Sequence, residues 1–175
     1  LLIIEDNLIY SHFLVNSICK ELNNIRLYSI VDTGKKALEI LKKEKIDIII
    51  LDLKLPDISG IDIINYIEGN NLSQYYASII VLTNEIDLLN QVINKKSVFT
   101  YSSKIDNINS FIDKVRELSK EKQDISLKNS IKEKISSELE YLGTAKIVRK
   151  PDTNIWIGFI RIIHHIIIFS ESRIR

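Results

Sequence analysis

The chain has 175 residues, a formal net charge of +1 at pH 7 and 45% hydrophobic residues. This length suits one globular domain, with or without a small extension, and the hydrophobic content is ample for a core. The near-neutral charge argues against a basic nucleic-acid-binding chain and against an acidic solvating tail. Cys19 is the only cysteine, which excludes an intramolecular disulfide, and its helical surroundings predict a small buried side chain.

In the first half of the chain, apolar runs alternate with amphipathic patterns. The runs predict three strands, at residues 1–4, 25–31 and 46–51. The third is the most β-branched and is therefore predicted to be central. Asn7 can cap a helix in which apolar residues recur at helical spacing, namely Leu8, Ile9, Phe13, Leu14, Ile18 and Leu22. Thr33 begins a second helix, and a third spans residues 61–67 and stops at Gly69.

The same alternation continues in the second half. Residues 78–82 and 98–101 are predicted strands, and residues 85–93 are a predicted helix between them. Asp106 or Asn109 is expected to cap a helix that runs through Leu118. The charged stretch that follows is predicted to be a linker. Beyond it, an amphipathic helix with Ile131, Ile135, Leu139 and Leu142 on its apolar face is predicted to end at Gly143.

Five strands that alternate with five helices predict an α/β fold with a doubly wound five-stranded parallel sheet. Right-handed crossovers leave few topologies, of which the strand order 2-1-3-4-5 is the natural one. In such sheets the functional site lies at the carboxyl ends of the strands, where the strand order reverses. Glu5 and Asp6 follow the first strand and Asp52 follows the third, so three acids are expected to meet there.

Three further side chains are predicted to reach the same edge of the sheet. Thr83 follows the fourth strand, Lys104 follows the fifth, and Tyr101 ends the fifth strand. Carboxylate oxygens are ligands that suit Mg²⁺, and a hydroxyl and an ammonium can hydrogen-bond phosphoryl oxygens. The sequence therefore predicts a site for a metal ion and a phosphoryl group.

These residues resemble those of the CheY-like receiver domain of bacterial two-component response regulators. The resemblance covers residues 1 to about 120 and rests on the order and spacing of a set of positions, namely Glu5, Asp6, Asp52, Pro56, Gly60, Thr83, Tyr101 and Lys104. It implies the flavodoxin-like fold with strand order 2-1-3-4-5. It also implies a signalling switch that catalyses only its own phosphorylation and dephosphorylation.

The resemblance assigns a role to each position. Asp52 would be the phosphoacceptor, and Thr83 and Lys104 would bind the phosphoryl oxygens. Thr83 and Tyr101 would form the conformational switch. Mg²⁺ would be the cofactor, and its ligands would be Glu5, Asp6, Asp52 and the backbone carbonyl of Lys54.

The chain departs from the family pattern at three places. Ile105 stands where a proline usually follows the lysine, Asn84 stands where a very small residue usually follows the threonine, and residues 96 and 97 replace the usual Gly-Ala. Asn84 is expected to crowd the phosphoryl entrance. We further hypothesise that Lys54 and Glu85 pair over the site and slow hydrolysis of the phosphoryl group. Lys54, Asn84 and Glu85 are therefore the candidates for tuning the rates of phosphorylation and dephosphorylation.

The expected partner is a sensor histidine kinase, and the family implies a homodimer through residues 85–118. Regulation of transcription is the first expected output, although no basic patch supports DNA binding. The alternatives are a receiver-only relay or adaptor that acts by protein contact, and a degenerate receiver. No membrane partner and a cytoplasmic location are expected, because residues 155–169 are too short and too charged for a span, which needs about 20 apolar residues.

The predicted domain organisation is a receiver domain at residues 1–120, a linker at 121–126 and a helical extension or partial output domain at 127–175. Residues 135–143 are similar to the start of the small helical output domain of sporulation-initiation-type regulators. In that comparison Lys146, Arg149 and Lys150 would form a basic turn, and residues 155–169 would form a second helix.

Overall fold

The structure is a computed structural model, and it describes residues 1–72, 77–104 and 106–145, with side chains for all of these except 86 and 138–145. The basic turn and second helix predicted within residues 146–175 lie outside the described residues, and so does Ile105. No helix in the described part of the chain is long and apolar enough to cross a membrane.

Strands and helices alternate through the described residues, as the sequence predicts. The strands are β1 (Leu2–Ile4), β2 (Ser29–Val31), β3 (Ile48–Leu51), β4 (Ser78–Leu82) and β5 (Val98–Ser102). The helices are α1 (Leu8–Glu21), α2 (Gly34–Leu41), α3 (Gly60–Gly69), α4 (Ile86–Val92) and α5 (Ile108–Ala145). Asn7 caps α1 as predicted, because its side-chain oxygen accepts the N–H of Tyr10 at 3.0 Å.

The five strands form one parallel sheet in the order β2-β1-β3-β4-β5, which confirms the predicted topology. β1 and β3 are neighbours, with Ile4 opposite Leu51. One residue further on, the N–H of Asp52 donates to the carbonyl of Ile4 at 2.9 Å. The residues that follow β1 and β3 therefore leave the sheet side by side.

Each face of the sheet is covered by its own set of helices. Alternate residues of a strand point to opposite faces, so Leu2 and Ile4 join one core cluster and Ile3 joins the other. The first cluster takes buried residues from α2, α3 and α4, namely Ala37, Leu41, Ile63, Ile64, Ile67 and Val92. The second takes them from α1 and α5, namely Leu14, Ile18, Phe111, Ile112, Val115 and Leu118.

Only part of the apolar pattern in α1 is buried. Its buried stripe runs through Ser11, Leu14 and Ile18, at spacings of three and four residues. Three apolar residues outside that stripe are exposed, namely Leu8, Ile9 and Phe13. Cys19 is also exposed, so the prediction of a buried thiol was wrong. The physical reason is that each step along a helix turns about 100°, which carries Cys19 away from the face that holds Ile18.

Two predicted boundaries also differ from the structure. β2 begins at Ser29 and not at residue 25, because the N–H of Ile25 donates back to the carbonyl of Leu22 at 3.4 Å in the preceding turn. Neither Asp106 nor Asn109 caps α5. The side chain of Asn107 accepts the N–H of Asn109 at 2.9 Å and takes that role.

The chain divides into two units, Leu1–Ile125 and Ser126–Arg175, and of the second the structure describes residues 126–145, the last part of α5. Residues 121–126, predicted as a linker, are helical here, because they lack glycine and proline and contain good helix formers such as lysine and glutamate. Gly143 does not end the helix either, since one glycine costs a helix only about 1 kcal/mol. The proposed domain boundaries themselves stay a prediction.

Candidate functional site

Three carboxylates meet where β1 and β3 end. Ligand oxygens of Glu5, Asp6 and Asp52 all lie within 4.8 Å of one another. Glu5 is 1% exposed and Asp52 is 4% exposed, whereas Asp6 is exposed to solvent. The strand pairing causes this meeting, because the register of β1 with β3 places the residues after Ile4 and Leu51 next to each other. The predicted acid cluster is therefore present.

Lys104, on the loop after β5, joins two of these acids. Its Nζ lies 2.7 Å from Oδ2 of Asp52 and 3.0 Å from Oε1 of Glu5. Desolvation would lower the pKa of Lys104, but the bonds to Asp52 and Glu5 outweigh it, so its pKa is raised above the ordinary value. The ammonium is therefore the cation that balances two buried carboxylates.

Glu5 retains capacity to bind a further cation. Burial raises the pKa of its carboxyl above the ordinary value, although Lys104 opposes the shift. Oε2 of Glu5 lies 2.8 Å from Nζ of Lys104 as an ion pair, but it accepts no hydrogen bond with acceptable geometry. A buried carboxylate whose oxygens lie beside two other carboxylates fits the oxygen ligands that Mg²⁺ takes. The donor set is therefore suitable for the predicted ion.

Thr83 lies at the same edge of the sheet. It is buried at the end of β4, where its N–H donates to the carbonyl of Ser102 at 3.2 Å and so extends the pairing with β5. Its Oγ1 accepts the N–H of Glu85 at 3.2 Å. The backbone of the loop therefore orients the hydroxyl that the sequence predicts for phosphoryl binding.

Tyr101 points outward. It lies on β5 opposite Val81, and 43% of it is exposed. Lys114 of α5 holds this arrangement, because its Nζ donates to the carbonyl of Tyr101 at 2.6 Å and lies 5.8 Å from the centre of the ring. The predicted aromatic switch residue is therefore in an outward position that a cation stabilises.

The loop after Asp52 is tied closely to β3. The N–H of Lys54 donates to Oδ1 of Asp52 at 3.2 Å, and the N–H of Gly60 donates to the carbonyl of Leu53 at 2.9 Å. A Cβ at Gly60 would lie 2.5 Å from the carbonyl oxygen of Asp52, which is shorter than any normal contact. Position 60 therefore requires glycine, because the backbone of α3 approaches that of the acceptor residue.

Asp57 anchors the other side of this loop. Its two carboxylate oxygens accept the N–H groups of Gly34 at 2.8 Å and Lys35 at 2.9 Å, at the start of α2. Oδ1 also accepts the N–H of Ile58 at 2.8 Å. Desolvation raises the pKa of Asp57, but these backbone donors outweigh it and hold the pKa below the ordinary value. A side chain of the acceptor loop thus caps a neighbouring helix.

The structure brings the predicted rate-tuning pair together. Nζ of Lys54 lies 3.3 Å from Oε1 of Glu85, and both side chains are exposed. The pair joins the acceptor loop to the loop that follows β4. Its effect on hydrolysis stays a prediction, as does the role of the Lys54 carbonyl as a metal ligand.

Sequence reasoning missed the contacts that two residues, Tyr10 and Asn84, make with Lys104. The hydroxyl of Tyr10 donates to the Lys104 carbonyl at 3.4 Å, and the Tyr10 ring lies 5.8 Å from Nζ. Oδ1 of Asn84 accepts the N–H of Lys104 at 3.0 Å. The available signal was an aromatic residue with a polar tip in the first turn after Glu5 and Asp6. No local pattern links Tyr10 to a loop 94 residues further along the sequence.

Comparison with known proteins identifies the family of this chain. Residues 1–119 match the sequence model of the response regulator receiver domain. No curated protein is significantly similar in sequence to this chain.

Solved structures of receiver domains have the same fold. The signal receiver domain of a protein described as a Luxo repressor from Vibrio parahaemolyticus is 26% identical, with a TM-score of 0.62 over 72% of this chain and 93% of its own. The response regulatory domain of mrkE from Klebsiella pneumoniae is 21% identical, with a TM-score of 0.61 over 70% and 96%. The chemotaxis response regulator CheY4 of Vibrio cholerae is 15% identical, with a TM-score of 0.57 over 67% and 95%.

Proposed function

Because the chain belongs to the family of response regulator receiver domains, we propose that Asp52 accepts a phosphoryl group from the phosphohistidine of a sensor histidine kinase. Receiver domains are signalling switches in two-component systems and not classical enzymes. One observation carries the choice of Asp52. It is a buried carboxylate with an ammonium 2.7 Å away and two further acids beside it.

The proposed reaction needs little covalent chemistry from the protein. A carboxylate oxygen of Asp52 attacks the phosphorus, and the bond from phosphorus to the donor nitrogen breaks with its electron pair staying on the imidazole. Lys104 and the hydroxyl of Thr83 donate to the phosphoryl oxygens. Groups fixed before the reaction stabilise the charge that develops, as phosphoryl transfer requires.

Mg²⁺ held by Glu5, Asp6, Asp52 and the Lys54 carbonyl would offset the negative charge that collects when a phosphoryl group approaches three carboxylates. The hydrogen-bond capacity left on Oε2 of Glu5 supports this proposal. Removing the ion with a chelator is expected to stop phosphorylation, because Lys104 alone supplies one positive charge against the acids and the phosphate.

The proposed switch uses Thr83 and Tyr101. When Asp52 is phosphorylated, the Thr83 hydroxyl turns toward the new oxygens and the Tyr101 ring moves inward into the space that it leaves. The outward position of Tyr101 against Lys114 is the state without phosphate in this proposal. A local change in charge would thus become a change in the surface of β5.

The decisive experiment is phosphorylation by acetyl phosphate with Mg²⁺, followed by intact-mass analysis. One added phosphoryl group is expected on the wild type, and none is expected on Asp52→Asn or in the presence of a chelator. An unmodified wild type would favour the degenerate receiver, and a modified Asp52→Asn would refute the choice of acceptor.

The proposed output is a change in transcription, with a sensor histidine kinase as donor, a homodimer through residues 85–118 and a cytoplasmic location for this protein. A gel shift on promoter DNA and light scattering, each with and without a phosphoryl mimic, test these steps. Phosphorylation without DNA binding would favour the relay or adaptor.

A further inference from the structure

The loop that carries Lys104 is shaped by its own residues. It joins β5, which ends at Ser102, to α5, which begins at Ile108. The carboxylate of Asp106 accepts the Ser102 hydroxyl at 3.0 Å and the N–H of Ser103 at 2.8 Å. These bonds tie Asp106 to the end of β5, but they do not attach Lys104 to any other strand end.

Asn84 makes that attachment. Its Oδ1 accepts both the N–H of Lys104 at 3.0 Å and the hydroxyl of Ser103 at 2.9 Å. Asn84 directly follows Thr83, so one carboxamide oxygen connects the threonine loop with the lysine loop. From the opposite side, the Lys104 carbonyl accepts the hydroxyl of Tyr10 at 3.4 Å, a longer and therefore weaker bond.

We propose that Asn84 is a positioning residue, whose carboxamide oxygen fixes the backbone of Lys104 so that the ammonium stays at Asp52. This inference rests on the proposed function, in which Thr83 and Lys104 both bind the phosphoryl group. Phosphoryl transfer is sensitive to displacements of about 1 Å in positioning groups. By holding the two loops together, Asn84 also makes the Lys104 loop follow any movement of Thr83.

The sequence suggested another role for Asn84, namely crowding of the phosphoryl entrance. Three substitutions separate the two roles. Asn84→Ala removes both the bulk and the acceptor, whereas Asn84→Leu keeps a branched side chain with as many heavy atoms, which is at least as bulky, and removes the acceptor. Asn84→Asp keeps an acceptor oxygen in the same place. Asn16→Ala, at an exposed asparagine of α1, is the matched control for replacing an asparagine by alanine.

The first measurement is amide hydrogen exchange at Lys104 by NMR, in protein without phosphate or metal. Loss of one hydrogen bond is expected to speed exchange about five- to tenfold in Asn84→Ala and Asn84→Leu. Asn84→Asp and Asn16→Ala are expected to exchange at the wild-type rate. Unchanged exchange in both Asn84→Ala and Asn84→Leu would overturn the proposal, whatever the phosphorylation result.

The second measurement is the rate of phosphorylation by acetyl phosphate at saturating Mg²⁺, together with the apparent affinity for the ion. The rate is expected to fall about tenfold in Asn84→Ala and Asn84→Leu, while the affinity for Mg²⁺ stays at least as high as that of wild type, because a displaced ammonium competes less with the ion. Asn84→Asp should be closer to wild type than to Asn84→Leu. A faster Asn84→Ala with an unchanged Asn84→Leu would establish crowding and refute positioning. A wild type that takes no phosphate would refute the proposed function, while hydrogen exchange would still decide whether Asn84 holds Lys104.

Discussion

Nζ of Lys104 lies 2.7 Å from Oδ2 of Asp52, although 52 residues separate them in the sequence. The same ammonium contacts Glu5, so it neutralises part of a buried acidic cluster before any metal binds. Lys104 and a divalent cation therefore stabilise the same carboxylates.

Replacing Lys104 by glutamine is expected to destabilise the metal-free protein. We expect a loss of about 2 kcal/mol in the free energy of unfolding, below the roughly 3–5 kcal/mol of a fully buried pair, because 22% of the Lys104 side chain is exposed. The variant should also bind Mg²⁺ more tightly than wild type, since the ion no longer meets a competing cation. Urea unfolding with and without Mg²⁺ measures both effects.

Lys36→Gln is the matched control for that experiment, because Lys36 pairs with Asp32 at an exposed position. Exposed pairs contribute little, so its unfolding midpoint is expected to stay at the wild-type value. Equal stabilisation of wild type and Lys104→Gln by Mg²⁺ would contradict the competition between lysine and metal.

A methyl group at Gly60 is expected to displace the acceptor loop. The new Cβ would meet the carbonyl of Asp52 at 2.5 Å and Cα of Leu53 at 2.8 Å, and both contacts are with backbone that cannot move freely. Gly60→Ala should lose about 2 kcal/mol of stability, as overpacking typically costs. It should also weaken Mg²⁺ binding, because Asp52 moves.

Gly69→Ala offers a control within the same helix, since a Cβ there meets nothing within 4 Å. Thermal unfolding of the two variants gives the comparison. Equal melting temperatures of Gly60→Ala and Gly69→Ala would show that the protein accommodates a Cβ at position 60 without loss of stability.

The exposed pair of Lys54 and Glu85 is expected to affect kinetics without affecting stability. Its Nζ to Oε1 distance is 3.3 Å, and an exposed pair contributes about 0–1 kcal/mol to folding. If the pair restricts access of water to phosphorylated Asp52, Glu85→Ala will lose its phosphoryl group faster than wild type. Dephosphorylation can be followed after the phosphodonor is removed.

Glu39→Ala, at an exposed glutamate of α2, is the control for that change. A phosphoryl lifetime in Glu85→Ala equal to that of wild type and Glu39→Ala would rule out the shielding role.

The cap that Asp57 provides is expected to depend on pH. Its pKa lies below the ordinary value of 3.8 in the folded protein, so the unfolded chain binds a proton more readily than the folded one. The stabilisation is therefore present above pH 3.8 and is lost as pH falls through the lower folded pKa. Asp57→Asn should be less stable than wild type at pH 6, and the difference should shrink with acidification. Urea unfolding at a series of pH values measures it, and a constant difference would count against the ionised cap.

The sequence predicted the sheet well, because its signals are local and repeated. Continuous apolar runs identified the strands, and handedness left few orders in which to arrange them. Once β1 and β3 were neighbours, Glu5 and Asp52 had to leave the sheet together. The apolar pattern was less informative for α1. Helical spacing predicted the helix, but Leu8 and Ile9 are exposed, and the sequence did not tell which of the apolar residues would be buried.

By itself, then, the sequence determined the strand order and the meeting of the acids at one edge, since both follow from periodicity and the geometry of parallel strands. Only the tertiary structure decided what holds Lys104 in place. Asn84 is 20 residues from Lys104 and Tyr10 is 94 residues away, and both contacts depend on the course of loops that carry no periodic pattern. Tyr101 likewise needed the structure, because its exposed ring lies beside Lys114, a residue of a different element. Asp52 could be identified from its place in the chain, whereas the groups that position its partners appear only when the loops have packed.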